Sequence, residues 1–427
     1  MDNLTHSLIG IVAGDTVARS ARSATGGLTA EARRAFLVSV SVIGGNLPDS
    51  DLIVSYSGFT RDKLAYMLQH RGYTHTILGC LILAFLLYGA AEGVARFRKL
   101  TLSSSDRVAI LGMALFGTLL HLAMDSLNSY GVHPFWPFND EWFYGDSVFI
   151  IEPLYWIAAA PMFFLLRTIW ARVVLGIAML AALVLNVMTH WSRPAWYIGI
   201  IVLTVLFLYV SKRATARAAA WTSAITAVGV TAMFIVAGLA ASHRADAIDA
   251  QAFPSEQRID HVLSPGFANP FCWDVMMLQT GDGRYTVRQA TVASVPTLVP
   301  ADHCFGQLVP RFSGTAPMTP VPAKSSAGIH WLLQFSMPEG RLAQLAARDC
   351  EARELLQFAR VPFAADVDGQ TVLGDLRFDR EKDLGFAEIA LDGKPACRFS
   401  VPWVPPRRAL LGRPADIPSN LGGSAGY

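Results

Sequence analysis

Six apolar runs between residues 76 and 241 are long enough to cross a lipid bilayer as helices. A bilayer core requires about 20 apolar residues per spanning helix, and a helix satisfies its own backbone hydrogen bonds there. These runs therefore predict membrane-spanning helices. They are Thr76–Ala95, Val108–Leu127, Val148–Leu166, Val173–Trp191, Ala195–Ser211 and Ala219–Ala241.

Two shorter apolar segments, Leu4–Ala18 and Ala35–Leu47, precede these runs and add two passages if both cross. After Ser242 the composition changes, because charged and turn-forming residues are then spread evenly through the sequence. We therefore predict two domains. Residues 1–241 form an all-α polytopic membrane bundle of about six to eight helices, and residues 246–427 form a soluble α+β domain.

The basic residues of the loops predict the orientation of this bundle. With eight passages, one set of loops holds thirteen Lys and Arg residues and the alternate set holds four. Because loops rich in Lys and Arg stay in the cytoplasm, we expect a multi-pass protein of the inner (cytoplasmic) membrane with both termini outside the cytoplasm. The formal net charge of +2 gives no indication of a nucleic-acid partner. The lipid bilayer is the expected partner, and the oligomeric state stays open.

Four cysteines lie in the predicted soluble domain, whereas Cys80 lies in an apolar run. The four are Cys272, Cys304, Cys350 and Cys397. An even number of cysteines in an oxidising compartment permits two disulfides. Three pairings are open, of which sequential pairing is the simplest, and four buried thiols are the alternative.

Local patterns predict the elements of the soluble domain. Cys272–Thr280 and Arg284–Ala293 are strand-like and flank Gly281-Asp282-Gly283, which predicts a β-hairpin. Gly340–Arg360 has apolar residues at helical spacing. Further strands are expected at Thr371–Asp379, Phe386–Leu391 and Cys397–Val401.

The candidate functional residues of the membrane half lie in four short segments. They are His6; Asp49 with Asp51; His70, Arg71 and His75; and His121 with Asp125. Taken singly, the first segment is compatible with a helix cap beside an interfacial histidine, and the second with a polar turn. His121 and Asp125 are four residues apart, so they share one helix face. Ionisable groups inside a membrane span are costly and are usually functional.

The expected topology places all four segments on the outer side of the membrane. Imidazole and carboxylate groups together are ligands of zinc and manganese. We therefore expect a divalent metal site, with zinc as the first choice and manganese as the second. The expected ligands are His6, Asp49, Asp51, His70, His75, His121 and Asp125. A site with several such ligands can hold two metals that clamp a phosphoryl group.

These segments resemble the motifs of the YdjM-type inner-membrane proteins, a LexA-binding family described as membrane-bound metal-dependent hydrolases. The resemblance covers roughly residues 1–160. It rests on Met1-Asp2-x-x-Thr5-His6, Pro48-Asp49-x-Asp51, His70-Arg71-Gly72-x-Thr74-His75 and His121-x-x-x-Asp125.

The chain is also remotely similar to the zinc-dependent phospholipase C and P1 nuclease superfamily of all-helical enzymes. That similarity implies that a zinc cluster is held by His6, Asp49, one of His70 or His75, and the pair of His121 and Asp125. Further ligands implied by it are His133, Asp146 or Glu152, but no spacing selects among these three residues.

Residues and resemblance together lead us to expect a metal-dependent hydrolase of a phosphoester, which an amphiphilic or lipid-linked substrate would fit. Asp49 or Asp51 would bind metal and orient the attacking water, and Arg71 would stabilise transition-state charge. Two other functions stay open. One is a transporter, although the later spans hold few ionisable residues, and the other is a structural or regulatory membrane protein whose metal only fixes helix ends.

Overall fold

The computed structural model describes residues 1–20, 26–55, 63–162, 194–304, 314–382, 384–393 and 397–412, with separate positions between 169 and 184. Helices form the first half of the described chain. They are α1 (Asn3–Ser20), α2 (Ala30–Gly44), α3 (Asp51–Ser55), α4 (Lys63–Gln69), α5 (Ile77–Phe97), α6 (Ser104–Ser126), α7 (Pro153–Ala159), α8 (Pro194–Arg213) and α9 (Ala216–Ala252). Two 3₁₀ turns, Leu47–Ser50 and Tyr73–His75, lie before α3 and α5.

Three of the described helices, α5, α6 and α9, are long and apolar enough to cross a membrane. The described residues therefore do not support the expected six to eight spans. The segment Ala35–Leu47 is shorter than a span, because α2 has only 15 residues. The segment Leu4–Ala18 forms α1, which carries the buried Asp15. Most of Val173–Trp191 lies outside the described residues.

The membrane span predicted over Val148–Leu166 also differs from the structure. Its first residues are not helical, and α7 continues only from Pro153 to Ala159. Glu152 caps α7 by accepting the Leu154 N–H at 2.9 Å, and the same carboxyl accepts the Ala268 N–H at 3.2 Å. Burial raises the pKa of Glu152 to about 8. In the described part of this run, Val148, Tyr155 and Trp156 are buried in protein, and residues 148–162 do not form one continuous helix.

Helices α5 and α6 form an antiparallel pair, since only a short loop joins them. The Thr76 hydroxyl accepts the Gly79 N–H at 2.8 Å and starts α5. A capping box of Ser103 and Asp106 starts α6. The first residues of α5 and the last residues of α6 therefore lie at the same end of the pair.

Helix α1 packs closely against α2 at Gly14. A Cβ atom on Gly14 would lie 2.7 Å from the Val38 Cα atom, so only glycine allows the two backbones this approach. The start of α1 consequently lies beside the end of α2, where the His6 carbonyl oxygen is close to Gly45.

The soluble half is α+β, as predicted. Its larger antiparallel sheet has the order β1-β2-β3-β5-β4 and its smaller sheet the order β6-β7-β8. The strands are β1 (Gln257–Gly266), β2 (Asn269–Gly281), β3 (Arg284–Ala293), β4 (Thr319–Pro320), β5 (Ile329–Pro338), β6 (Pro362–Val367), β7 (Gln370–Asp375) and β8 (Glu388–Ala390), with helices α10 (Arg341–Arg348) and α11 (Cys350–Leu356). Gly281 pairs with Arg284 in the β2–β3 hairpin, which confirms that prediction.

Three boundaries in this half differ from the sequence prediction. The helix predicted over Gly340–Arg360 is broken at Asp349, whose side chain caps α11 through the Ala352 N–H at 3.0 Å. The strand predicted over Thr371–Asp379 ends at Asp375. The strand predicted over Cys397–Val401 is wrong, because this segment has no strand pairing in the described residues and Cys397 is held by a disulfide.

The two halves share their hydrophobic cores. Phe234 of α9 packs edge-on against Trp273 of β2, with ring centroids 6.5 Å apart. Leu64 and Leu68 of α4 belong to the same buried cluster as Phe358, which follows α11. The soluble half is therefore packed directly on the helical half.

The cysteines pair sequentially, as Cys272–Cys304 and Cys350–Cys397. We expect protein that is unfolded without reductant to alkylate only at Cys80, which is the free cysteine. Mass spectrometry before and after reduction measures this. Each crosslink should stabilise the fold by about 3–4 kcal/mol, because it closes a long loop of the unfolded chain. Alkylation of all five cysteines before reduction would show that the disulfides do not form.

Candidate metal centre

The four ionisable segments meet at one end of the helical half, where α1 and α5 begin and α2 and α6 end. The chain breaks after α2 because Pro48 cannot continue the helix, and it turns again at Arg71, whose φ angle is 62°. The residues lie as follows: His6 in α1, Asp49 in the turn Leu47–Ser50, Asp51 at the start of α3, His70 after α4, His75 in the turn Tyr73–His75, and His121 and Asp125 in α6.

Four of these residues form a buried cluster, which we term the four-residue group: Asp49, His75, His121 and Asp125. One ligand atom of each lies within 4.8 Å of the others. The Nε2 atoms of His75 and His121 are 3.1 Å apart, and Asp125 Oδ2 lies 3.4 Å from the first and 3.6 Å from the second. His121 Nδ1 donates to the Gly45 carbonyl oxygen at 2.7 Å. Because a carbonyl only accepts, Nε2 of a neutral His121 carries the lone pair that a metal requires.

A second cluster, the three-residue group, consists of Asp49, Asp51 and His70. Asp49 therefore belongs to both groups. His70 Nδ1 lies 3.0 Å from Asp51 Oδ1, and Asp51 Oδ2 accepts the backbone N–H of Arg71 at 2.9 Å. The side chain of Asp51 is 10% exposed, whereas those of His121 and Asp125 are 0% exposed. The three-residue group is thus the more accessible of the two.

Asp49 and Asp51 are both ionised at neutral pH. Burial alone would raise the pKa of Asp49, but the neighbouring imidazoles of His121 and His75 hold that pKa well below its usual range. Burial likewise opposes the ionisation of Asp51, and its hydrogen bonds with His70 and His75 again lower the pKa.

The residues present fit a divalent cation. Carboxylate oxygens beside imidazole nitrogens are a donor set of Zn²⁺ and Mn²⁺. Asp125 Oδ2 forms no hydrogen bond among the described residues. It lies 3.1 Å from Arg71 Nε and faces the same space as the Nε2 atoms of His75 and His121, as a ligand of a shared cation would.

His6 and Arg71 contact the four-residue group without belonging to either group. His6 Nε2 lies 3.2 Å from Asp125 Oδ1, and its ring stacks on His121 with centroids 4.0 Å apart. Arg71 Nε lies 3.1 Å from Asp125 Oδ2, and Arg71 Nη1 donates to Asn128 Oδ1 at 3.0 Å. Both side chains are therefore placed to orient Asp125.

The three further ligands implied by the remote similarity lie elsewhere. His133 Nδ1 is 3.3 Å from the Arg71 carbonyl oxygen, and burial lowers its pKa to about 3. Asp146 forms a bidentate pair with Arg360, and Glu152 caps α7. Within the described chain, none of the three belongs to the two groups of candidate ligands.

Trp403 of the soluble half covers the turn that carries His70 and His75, and no sequence pattern pointed to it. Its indole Nε1 donates to the Leu68 carbonyl oxygen at 2.8 Å. A Cβ atom on Gly72 would lie 2.8 Å from Trp403 Cζ2, so glycine is required beneath the indole. No local signal connects residues that are more than 300 positions apart.

We expect Trp403→Ala to weaken metal binding about 10-fold or more, as for other residues that support ligands from behind. The turn would lose the surface that fixes it, while all candidate ligands stay present. Trp403→Phe keeps the ring, so most of the affinity should return. Zinc competition with a chromogenic chelator measures the change, and Trp221→Ala, which alters a half-exposed tryptophan of α9, is the control. Equal affinity in all three variants would refute this role.

A comparison with protein families identifies the family of this chain. Residues 1–214 match the model of the YdjM inner membrane protein family. The chain belongs to this family. The YdjM region holds all the candidate ligands, and the soluble half lies outside the match. Membership and the apolar helices together make this an inner-membrane family member with a buried Asp/His cluster that could bind a metal ion. Comparisons with curated proteins and with solved structures found no match.

Proposed function

We propose that this YdjM protein is a membrane-bound metal-dependent hydrolase that acts on a phosphoester at the outer face of the membrane. One observation carries the proposal: Asp49 is shared by two adjacent groups of candidate ligands. A shared carboxylate between two cation positions is suited to the two-metal arrangement of phosphoryl-transfer enzymes.

The two groups differ in a way that suggests different roles. The four-residue group can supply four ligands, which is the number of a closed zinc site. The three-residue group supplies three and is more accessible, so it leaves a position for water or substrate. Divalent cations held there would lower the pKa of a bound water and neutralise charge on the phosphoryl group.

The protein's own residues would orient the reacting groups. Asp51 is fixed by the Arg71 N–H and by the Thr74 hydroxyl at 2.9 Å each, so its carboxylate is held to accept a hydrogen bond from the attacking water, which loses a proton on attack. The water oxygen then forms the new bond to phosphorus as the bond to the alcohol oxygen breaks. The alcohol takes up the proton, and the products are an alcohol and a phosphate.

Zinc is the first metal to test, because histidine nitrogen and carboxylate oxygen are its usual ligands alongside thiolate. Manganese is the alternative. The test is hydrolysis of 4-nitrophenyl phosphate and bis(4-nitrophenyl) phosphate by the full chain in nanodiscs, with and without each metal. We expect chelation to abolish turnover and the metal to restore it. Absence of turnover with every metal would refute the hydrolase.

A structural metal site is the second candidate, and the burial of the four-residue group favours it. In that case only this group binds metal, and Asp51→Asn and His70→Ala leave the metal content of the protein unchanged. The hydrolase instead requires loss of metal from the three-residue group in the same variants.

The candidate centre and the loop between α5 and α6 lie at opposite ends of two apolar helices. With the centre outside, Thr101 in that loop is cytoplasmic and Gly340 in the soluble half is extracytoplasmic. We expect Gly340→Cys, but not Thr101→Cys, to react with a membrane-impermeant maleimide in spheroplasts, since both positions are exposed on the protein. Permeabilised spheroplasts should label both variants. Labelling of Thr101→Cys alone would reverse the orientation.

A further inference from the structure

A cavity of about 320 Å³ lies between the loop after α6 and the soluble half. Asn128 and Tyr130 line it from the helical side, and Val262 and Met276 line it from strands β1 and β2. The cavity adjoins the candidate metal centre through Arg71, whose guanidinium contacts Asn128, Asp125 and the Tyr130 ring. The cavity and the metal centre are therefore neighbours.

Two buried polar groups of the cavity wall lack partners. The Asn128 amide oxygen accepts N–H groups from Arg71 at 3.0 Å and from Tyr130 at 2.9 Å, which fixes the orientation of the amide. Asn128 Nδ2 and the Tyr130 hydroxyl are then left without hydrogen-bond partners among the described residues. Because both atoms are almost fully enclosed by protein, Asn128 acts through its amide oxygen, which connects the cavity wall to Arg71.

The remaining wall combines apolar side chains with two serines and four charged side chains, whose formal charges cancel. Arg377 and Arg380 are balanced by Asp274 and Glu381, while Phe378, Val148 and Ile150 contribute apolar surface. The volume is at the lower end of the ~300–1,000 Å³ typical of small-ligand sites. The cavity suits an uncharged, mostly apolar body of ring size rather than a pair of acyl chains.

We propose that this cavity holds the alcohol portion of the phosphoester, with the phosphoryl group directed toward the three-residue group. The assignment rests on the proposed function. This assignment gives the soluble half a role, because residues of β1 and β2 would then determine which alcohol portion fits beside the candidate metal centre.

Two phosphonates test the subsite, since their P–C bonds are not hydrolysed. 1-Naphthylmethylphosphonate carries an apolar body and methylphosphonate carries almost none. In the zinc-loaded full chain in nanodiscs, calorimetry should show at least tenfold tighter binding of the naphthyl compound. Ile150→Trp places bulk in the cavity from a side chain that is 40% exposed and should remove this preference. Ser264→Phe adds bulk from the opposite wall and should do the same.

Ile201→Trp is the matched control, because Ile201 is 47% exposed and lines a separate apolar cavity beside α7 and α8. It should keep the wild-type preference, and all variants should keep the wild-type zinc content. The proposal is overturned if the wild type binds neither compound or binds both equally well. It is also overturned if Ile150→Trp and Ser264→Phe both keep the preference for the naphthyl compound. If the preference follows the cavity but no phosphoester is hydrolysed, the subsite stands and the hydrolase fails.

Discussion

His121→Ala and Asp125→Ala should each lower zinc affinity by more than 100-fold, which exceeds the ~10–100-fold typical of residues that only support ligands. Both side chains project from one face of α6 and are fully buried. Competition with a chelator, followed by metal analysis of the desalted protein, measures the loss.

Substitutions in the three-residue group show whether the two groups bind metal separately. His70→Ala should lose metal from that group and keep it in the other, whereas Asp49→Ala should weaken both, because Asp49 is common to them. His303→Ala is the control, since this histidine is 57% exposed and lies in the soluble half. Unchanged zinc affinity in His121→Ala and Asp125→Ala would remove the four-residue group as a metal site.

Among the substitutions proposed here, we expect Arg360→Ala to lower the free energy of unfolding most. Its guanidinium donates to both oxygens of Asp146, at 2.6 and 2.8 Å, and to Asp260 Oδ2 at 3.2 Å. The side chain of Arg360 is only 5% exposed. Removing one partner from a buried ion pair costs about 3–5 kcal/mol. Here Asp146 would lose its guanidinium partner, whereas Asp260 would keep Arg407. The loop that carries Asp146 would detach from the soluble half.

Chemical denaturation followed by tryptophan fluorescence, together with limited proteolysis of the 138–146 loop, measures this destabilisation. Arg341→Ala is the control, because Arg341 pairs at 3.1 Å with an Asp366 side chain that is 69% exposed. An exposed pair of this kind contributes at most about 1 kcal/mol. Equal stability of the two variants would contradict the network's role in joining the halves.

The clustering of the ionisable segments was more predictable from the sequence than the membrane topology. Short ionisable segments beside apolar runs carry strong local signals, and the four-residue spacing of His121 and Asp125 is enough to place both on one helix face. The end caps at Thr76 and Ser103 are similarly local.

Apolar runs were less informative, because apolarity alone does not distinguish lipid contact from burial in protein. Val148 is 1% exposed in a non-helical segment, and α7 packs on α1 and α9. The break at Asp349 was also missed, since a capping aspartate competes with an otherwise helical pattern. Contacts such as those of Trp403 join distant parts of the chain and have no local signature.

The most direct test of the account is the metal content of the full chain purified without chelators. Inductively coupled plasma mass spectrometry should find about two divalent transition-metal ions per chain, as expected for a two-metal centre. In Asp49→Ala both should be depleted, while His303→Ala should match the wild type. A wild-type protein that carries no transition metal, and takes up none from added zinc or manganese, would contradict the account.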